Sequence, residues 1–264
     1  MDHESSMGKG YKEELSLRNY RQIASKALKT KVMQSHDPLA VYIPETTWLN
    51  KVELKKMLDR YPMVFIKPDK GNGGHGIIRI RRYQDWCEVR WRKERQLMRM
   101  EELPKRLVRY LSPSRPYIIQ QGIEMAKVDG RPFDIRLMLQ KPDTRWLLSG
   151  MVAKVAARGE FITNHCKGGL PITAKEAMVR SFGEGNPLNE LLYKHLLSLS
   201  SMTAEVLDER FPGIKELGID VGPDQEGHPW IFEVNTRPDL FVFQHLKHHG
   251  AQYRRILARR KRLV

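Results

Sequence analysis

The sequence has 264 residues, 41% hydrophobic and 29% charged, with 46 Lys and Arg against 31 Asp and Glu for a net charge of +15. A chain of this length buries roughly 70–75% of its unfolded surface, which excludes a mainly disordered or fibrous protein and favours one large domain or two small intimate ones. Two cysteines, Cys87 and Cys166, make neither a disulfide framework nor a Cys-rich zinc site, the polar opening MDHESSMGKG is no secretory signal, and no apolar run is long enough for a membrane span, so a soluble cytoplasmic protein is expected.

Residues 1–40 read as a helical N-terminal extension: a frayed start through residue 12, then a helix or helix pair over 13–36 that closes at Asp37-Pro38. Asn50 with Glu53 three residues on has the form of a capping box, and Leu54, Met57 and Leu58 supply the apolar stripe of the helix that follows. Met63-Val-Phe-Ile66 is a short apolar run that predicts a buried strand ending at Lys67-Pro68. A glycine-rich loop over 69–76 and a second strand from Ile77 complete a hairpin. The spacing predicts a long charged helix over 84–103, then strands at 117–121, 133–140 and 146–157, the last two joined across Pro142-Asp143. Gly168-Gly169 marks a break. A long helix is expected over 189–211, ended by Pro212-Gly213. Short strands at 218–221 and 230–234 and a basic terminal helix from about Leu240 finish the chain. The order is α+β, rich in antiparallel pairs, without regular βαβ units.

Two constellations carry chemistry. Gly71, Gly73, Gly74 and Gly76 lie within eight residues of loop directly after Lys67. Glycine admits left-handed backbone, so successive N–H groups can converge on a phosphate while Lys67 supplies a point charge. A plain hairpin tip with Lys67 reaching outward accounts for the same residues, and no P-loop motif is present. The second constellation is Asp220, Glu233 and Asn235. Strand periodicity puts Glu233 and Asn235 on one face, and antiparallel pairing across the turn brings Asp220 beside them. Two carboxylates and an amide oxygen suit Mg²⁺. The rival reading makes them turn and edge residues, with Arg237 paired to Glu233.

Together these segments resemble an ATP-grasp fold, with two mixed and antiparallel sheet subdomains clasping a nucleotide. The likeness is greatest to the spore-coat-associated ATP-grasp proteins of spore-forming bacteria. It is carried by Tyr42-Ile-Pro-Glu-Thr46, Phe65-Ile-Lys-Pro68, residues 71–76, Gln120-Gln-Gly122, Phe133-Asp-Ile-Arg136, residues 164–169 and Phe232-Glu-Val-Asn-Thr-Arg-Pro238. The resemblance implies a small subdomain over 41–120 with the phosphate loop, a large one over 121–246 with the metal site, and a basic helix over 247–264. A full N-terminal substrate domain is not expected.

It also implies ATP and Mg²⁺ as cofactors and a ligase that activates a carboxylate as an acyl phosphate for attack by an amine or similar nucleophile. Lys67 matches the lysine on the phosphates, and Gln121 and Ile123 the adenine hinge. Asp220, Glu233 and Asn235 match the metal ligands. Arg136, Lys154 and Asn164 match groups that face the reacting phosphate, with Arg237 beside the acceptor. For the family's further ATP-contacting lysine, Lys31 is the nearest candidate and Lys29 its rival.

The expected partners are a carboxylate substrate and an acceptor as large as a peptide or polymer, in a cytoplasmic or spore-associated setting. A non-catalytic assembly protein of the spore coat is the alternative. The positive charge concentrates in 79–109, with eleven basic against five acidic residues, and in 247–264, with seven basic and none acidic. An acidic protein partner for these basic helices is the expectation. A nucleic-acid-binding protein is disfavoured because the basic groups fall on helices rather than among aromatics on a sheet face.

Overall fold

The computed structural model describes residues 19–71, 73–163, 170–246 and 250–263. The expectations for residues 1–18, for Asn164 and for the break at Gly168-Gly169 lie outside that set. Residues 19–25 run without regular structure into α1 (Lys26–Gln34), which is followed by the short α2 (Asp37–Ala40). The small sheet begins with β1 (Thr46–Trp48). After α3 (Lys51–Arg60), its other strands are β2 (Met63–Pro68), β3 (Ile78–Tyr83), β4 (Trp86–Trp91), β5 (Glu94–Arg99) and, beyond α4 (Leu103–Leu107), β6 (Tyr117–Gln121). They lie in the order β1-β6-β2-β3-β4-β5 with antiparallel neighbours throughout. Asn50 caps α3 by accepting from the Glu53 amide at 2.9 Å, and the helix packs Leu54, Met57 and Leu58 against Val64, Ile66, Ile78 and Ile80.

The helix expected over 84–103 is absent. Its place is taken by β4, β5 and the short α4. The charged composition reads as helical, but Cys87 and Val89 alternate into the core, and Met98 faces Cys87 across the ladder. Gln84 and Arg92 adopt φ of 53° at the two turns, so the chain doubles back twice where a helix would continue. Pairing with β3 outweighs the local helix preference.

The large sheet holds β8 (Arg131–Gln140), β9 (Leu147–Val155), β10 (Leu170–Ile172), β11 (Glu216–Pro223) and β12 (Pro229–Asn235), in the order β10-β9-β8-β11-β12, with the two-residue β7 (Lys127–Val128) beside β8. One face, with Phe133, Ile135, Leu137 and Leu139, packs on α5 (Ala174–Phe182) and α6 (Pro187–Arg210). Asn186 caps α6 and Pro187 opens it, close to the expected start. The sequence reading missed α5. Met33, Leu39 and Ile43 join this same core.

Part of the opposite face, at Met138 and Val152, is covered by α7 (Phe241–Gln244) and α8 (Gly250–Arg260), two helices where one was expected. The basic residues of α8 are largely spent inside the molecule. Arg260 clamps the fully buried Glu216 with Nε 2.8 Å from Oε1 and Nη2 3.0 Å from Oε2. Arg255 and Arg259 donate to the carbonyls of Ser149 and Leu148, and Arg262 pairs with Asp143.

Glu216 also accepts from Tyr20 and Gln140, so its charge is balanced by Arg260 alone among its recorded contacts. Replacing Arg260 by Met keeps the volume but strands that carboxylate, and unfolding in urea should show a loss of about 3–5 kcal/mol. An unchanged midpoint would mean that α8 is a surface appendage.

Candidate functional site

A cavity of about 620 Å³ lies between the two sheets. Its floor is a row of charged residues set by strand register. Asp134 on β8 stands opposite Lys154 on β9, Arg136 on β8 opposite Asp220 on β11, and Asp220 opposite Glu233 on β12. Period two puts Asp134 and Arg136 on the face away from Phe133, Ile135 and Leu137. Arg136 grips Asp220 in bidentate fashion, with Nε 2.7 Å from Oδ1 and Nη2 2.9 Å from Oδ2. Lys154 Nζ donates to Asp220 Oδ1 at 2.8 Å and sits 2.9 Å from Asp134 Oδ1, an ion contact without hydrogen-bond alignment. Thr163 donates to the other Asp134 oxygen.

All four charges are buried. Burial pushes Asp134 up against the opposing pull of Lys154. At Asp220 burial is outweighed by Arg136 and Lys154, which hold the carboxyl well below its usual range. Burial would likewise lower Arg136 and Lys154, but their acidic partners raise both. The row is cross-linked through Asp220, and a bare backbone at Gly218 makes room for it. A Cβ there would lie 2.6 Å from Pro238 and 3.1 Å from Arg136 Nη1.

The small sheet supplies the roof. Lys67 Nζ donates to Gln120 Oε1 at 2.5 Å, and Gln120 is held in turn by donating to Thr46 Oγ1 at 2.9 Å. The Phe65 and Phe232 rings stand 5.9 and 6.0 Å from the same ammonium. Burial, partly offset by Glu233, pulls Lys67 down to about 8. Gly71, Gly73, Gly74 and Gly76 all have positive φ, as the sequence pattern requires. Gly73 and Gly74 line the cavity, together with Gln121 and Ile123 at the junction of the sheets.

Arg237 and Asn235 form the wall beyond Glu233. Arg237 donates to the Tyr20 carbonyl, not to Glu233, and its buried Nε has no hydrogen-bond partner among the described residues. The partner of Glu233 is Lys26, whose Nζ lies 3.2 Å from Oε1 and donates to the Gly71 carbonyl at 2.6 Å. Lys26 was missed in the sequence because nothing in the local pattern of α1 distinguishes it. Lys29, one turn on, is buried against the Ile23 carbonyl at 2.5 Å, and burial, opposed by Glu233, lowers it to about 8. Neither lysine is in the cavity lining, but Lys31 is exposed whereas Lys29 is buried within reach of the Glu233 charge, so of the two candidates the structure brings Lys29 nearer the site.

Among the described residues no three His, Cys, Asp or Glu side chains are grouped to hold a metal. Asp220 Oδ1 accepts two donors and Oδ2 one, which leaves a single lone pair. Glu233 and Asn235 line the cavity beside Asp220, and Asp239 adds a further carboxylate to the lining. Such a set fits Mg²⁺ as the cation is usually bound, through one or two carboxylates with substrate phosphates completing its shell.

Residues 14–260 match the model of the YheC/D-like ATP-grasp family. The chain is 27% identical over 219 residues to the endospore coat-associated protein YheD of Bacillus subtilis and 23% identical over 218 residues to YheC of the same organism. Those matches take in 80% and 78% of this chain but 47% and 57% of the relatives, so the chain spans about half their length. Among solved structures, the D-cycloserine synthetase DcsG aligns over 91% of this chain and 71% of its own, with a TM-score of 0.55 at 10% identity. The ATP-grasp ligase PsnB, solved with a phosphomimetic variant of its minimal precursor, Mg and ADP, aligns over 91% and 59%, with a TM-score of 0.52 at 10% identity. At that identity the likeness is one of fold.

Lys29 and Lys67 release their protons near pH 8 in the folded protein but only near 10.5 once it unfolds. The unfolded chain then holds more protons between those values, so the desolvation cost of both ammonium groups is full below pH 8 and is relieved as pH rises toward 10.5. Thermal melts should show Lys67→Met losing part of the stability gained by the wild type across that window. Parallel melting curves for the two proteins would refute the buried ammonium at Lys67.

Proposed function

The chain belongs to the YheC/D-like ATP-grasp family, and on that premise we propose that it is an ATP- and Mg²⁺-dependent ligase that joins a carboxylate to an amine or similar nucleophile. The observation that carries the reading is the placement of Lys67 and the glycine loop across one cavity from the Arg136–Asp220–Glu233 row. Lys67, held by Gln120, would contact the α- and β-phosphates, and the Gly73 and Gly74 amides would close over them. Gln121 and Ile123 would flank the adenine. Glu233 and Asn235 would hold Mg²⁺, whose role when bound is to neutralise charge on the phosphates.

The chemistry needs no side-chain nucleophile. The substrate carboxylate attacks the γ-phosphate, ADP leaves, and the acceptor then displaces phosphate from the acyl phosphate to form the new bond. Arg136, fixed by both Asp220 oxygens, supplies a preorganised donor near the developing charge, and Lys154 extends that field. Arg237, whose buried Nε has no hydrogen-bond partner among the described residues, lies at the cavity wall and is the group we assign to the acceptor end. Asn164 retains the proposed phosphate-facing role that its motif implies. The names of the two Bacillus relatives support a spore-coat-associated setting. No helix among the described residues is long and apolar enough to cross a membrane.

ATP with Mg²⁺ should raise the melting temperature. Lys67→Met should weaken ATP binding by about 10–100-fold through loss of a charge-assisted contact, and Glu233→Gln should raise the Mg²⁺ concentration needed for stabilisation by ATP. Pooled carboxylates and amines, followed by mass spectrometry, should yield free phosphate together with a new amide. ATP that neither stabilises the protein nor is consumed would overturn the reading.

A further inference from the structure

The basic run read as a helix forms instead one face of the small sheet. Cross-strand register puts Arg79, Arg90 and Arg95 in a single row over β3, β4 and β5. The next row is Arg81, Glu88 and Leu97, and the third is Tyr83, Trp86 and Arg99. Five arginines thus share the face with one acid on its strands, and Glu124 pairs with Arg81 from outside them. Glu88 serves two of them, at 2.5 Å from Arg79 Nη2 and 2.5 Å from Arg95 Nε. Like charges directly opposite on neighbouring strands destabilise a sheet, so three arginines abreast carry a cost that an anionic ligand would relieve. The Nε atoms of Arg79 and Arg90 are buried without hydrogen-bond partners among the described residues.

This face is continuous with the cavity. Phe65, in the cavity lining, stands opposite Arg79 in the β2–β3 ladder, and Arg79 and Arg90 each lie 5.1 Å from the ring of Phe161, which also lines the cavity. At its far end β5 is an edge strand of the sheet, with Leu97 65% exposed between Arg95 and Arg99. We propose that this arginine face and the β5 edge bind an extended acidic polypeptide segment. A strand laid along β5 would pair with its backbone and present the side chains of one face about 6.6–6.8 Å apart, so that every second one of them, about 13 Å apart, matches the spacing of Arg95 and Arg99.

A carboxylate at every fourth position meets the guanidinium groups, and the same-face residue midway between them covers Leu97. Nucleic acid fits less well because the rings are already engaged. Arg99 covers Trp86 at 5.0 Å and Phe161 carries two arginines, which leaves Tyr83 where a single strand needs a run of free stacking platforms. That the bound segment is the ligase substrate, guided toward the cavity, rests on the function proposed above; the binding itself does not.

The test titrates nucleotide-free protein at low salt with a labelled peptide that repeats glutamate-threonine-valine-threonine, which puts glutamate at every fourth position with valine midway on the same face. A companion peptide with glutamine for glutamate and a thymidylate strand of equal length are run beside it. The acidic peptide should bind saturably, the glutamine peptide about tenfold more weakly, and R95E/R99E should lose about tenfold in affinity. K51E/K175E, an equal charge change in the first turns of α3 and α5, should stay within about twofold of wild type. Leu97→Glu repeats the test without touching the Arg95–Glu88 pair, should R95E/R99E melt early. Equal binding by R95E/R99E or Leu97→Glu and wild type, equal binding of the glutamine peptide, or tighter binding of thymidylate overturns the proposal. Since ATP is absent, failure here leaves the ligase reading standing, and the absence of ligation would leave peptide binding intact.

Discussion

Four charges buried in one layer of the large sheet constrain the rest of the molecule. Each ion withdrawn from water costs several kcal/mol, which is recovered only if every partner is in place. Asp134, Arg136, Lys154 and Asp220 meet that condition by register alone, since each is set opposite or beside its partner on neighbouring strands. A slip of one residue would turn the whole set into the apolar core formed by Phe133, Ile135 and Leu137. The close approach of Pro238 and Arg136 to Gly218 shows how little room the arrangement leaves.

The small sheet meets this floor through the N-terminal segment as well as through the strands. Asp69, just before the glycine loop, accepts from Ser25 Oγ at 2.9 Å and from the Ala27 amide at 2.8 Å. Thr236, just past Glu233, accepts from the Ile23 amide at 2.8 Å. One short stretch of chain is thereby fastened to both walls of the cavity, and Lys26 within it reaches from the loop to Glu233. An internal ammonium next to the carboxylate that would carry Mg²⁺ supplies a counter-charge at that point in the ligand-free chain. The glycine loop and the Glu233 end of the cavity are thus linked through the Lys26 side chain.

The small sheet also changes the meaning of the positive charge. On a helix the arginines of 79–99 would be a solvated stripe. On three adjacent strands they become a surface that begins at the cavity and ends at a free edge. The basic C-terminal segment goes the other way. Arg255, Arg259 and Arg260 help dock α8 through carbonyls and Glu216, while Arg254, Lys261 and Arg262 stay exposed.

Much of the site was legible because its parts are local. Four glycines after Lys67, and Asp220, Glu233 and Asn235 on two strands joined by a short turn, are patterns of adjacent residues, and strand periodicity is enough to say which share a face. The capping box at Asn50 and the proline start of α6 are local in the same sense. The helix expected over 84–103 was misread because Arg, Lys and Glu favour helices in isolation, whereas pairing with β3 is a long-range term. Lys26, Gln120 and the partners of Arg237 depend on segments far apart in the chain, brought together only by packing. Composition and spacing determined that four glycines follow Lys67 and that Glu233 and Asn235 share a strand face; which lysine meets Glu233, which of the Asp220 lone pairs are occupied and where the arginines point were decided by tertiary contacts that no local pattern encodes.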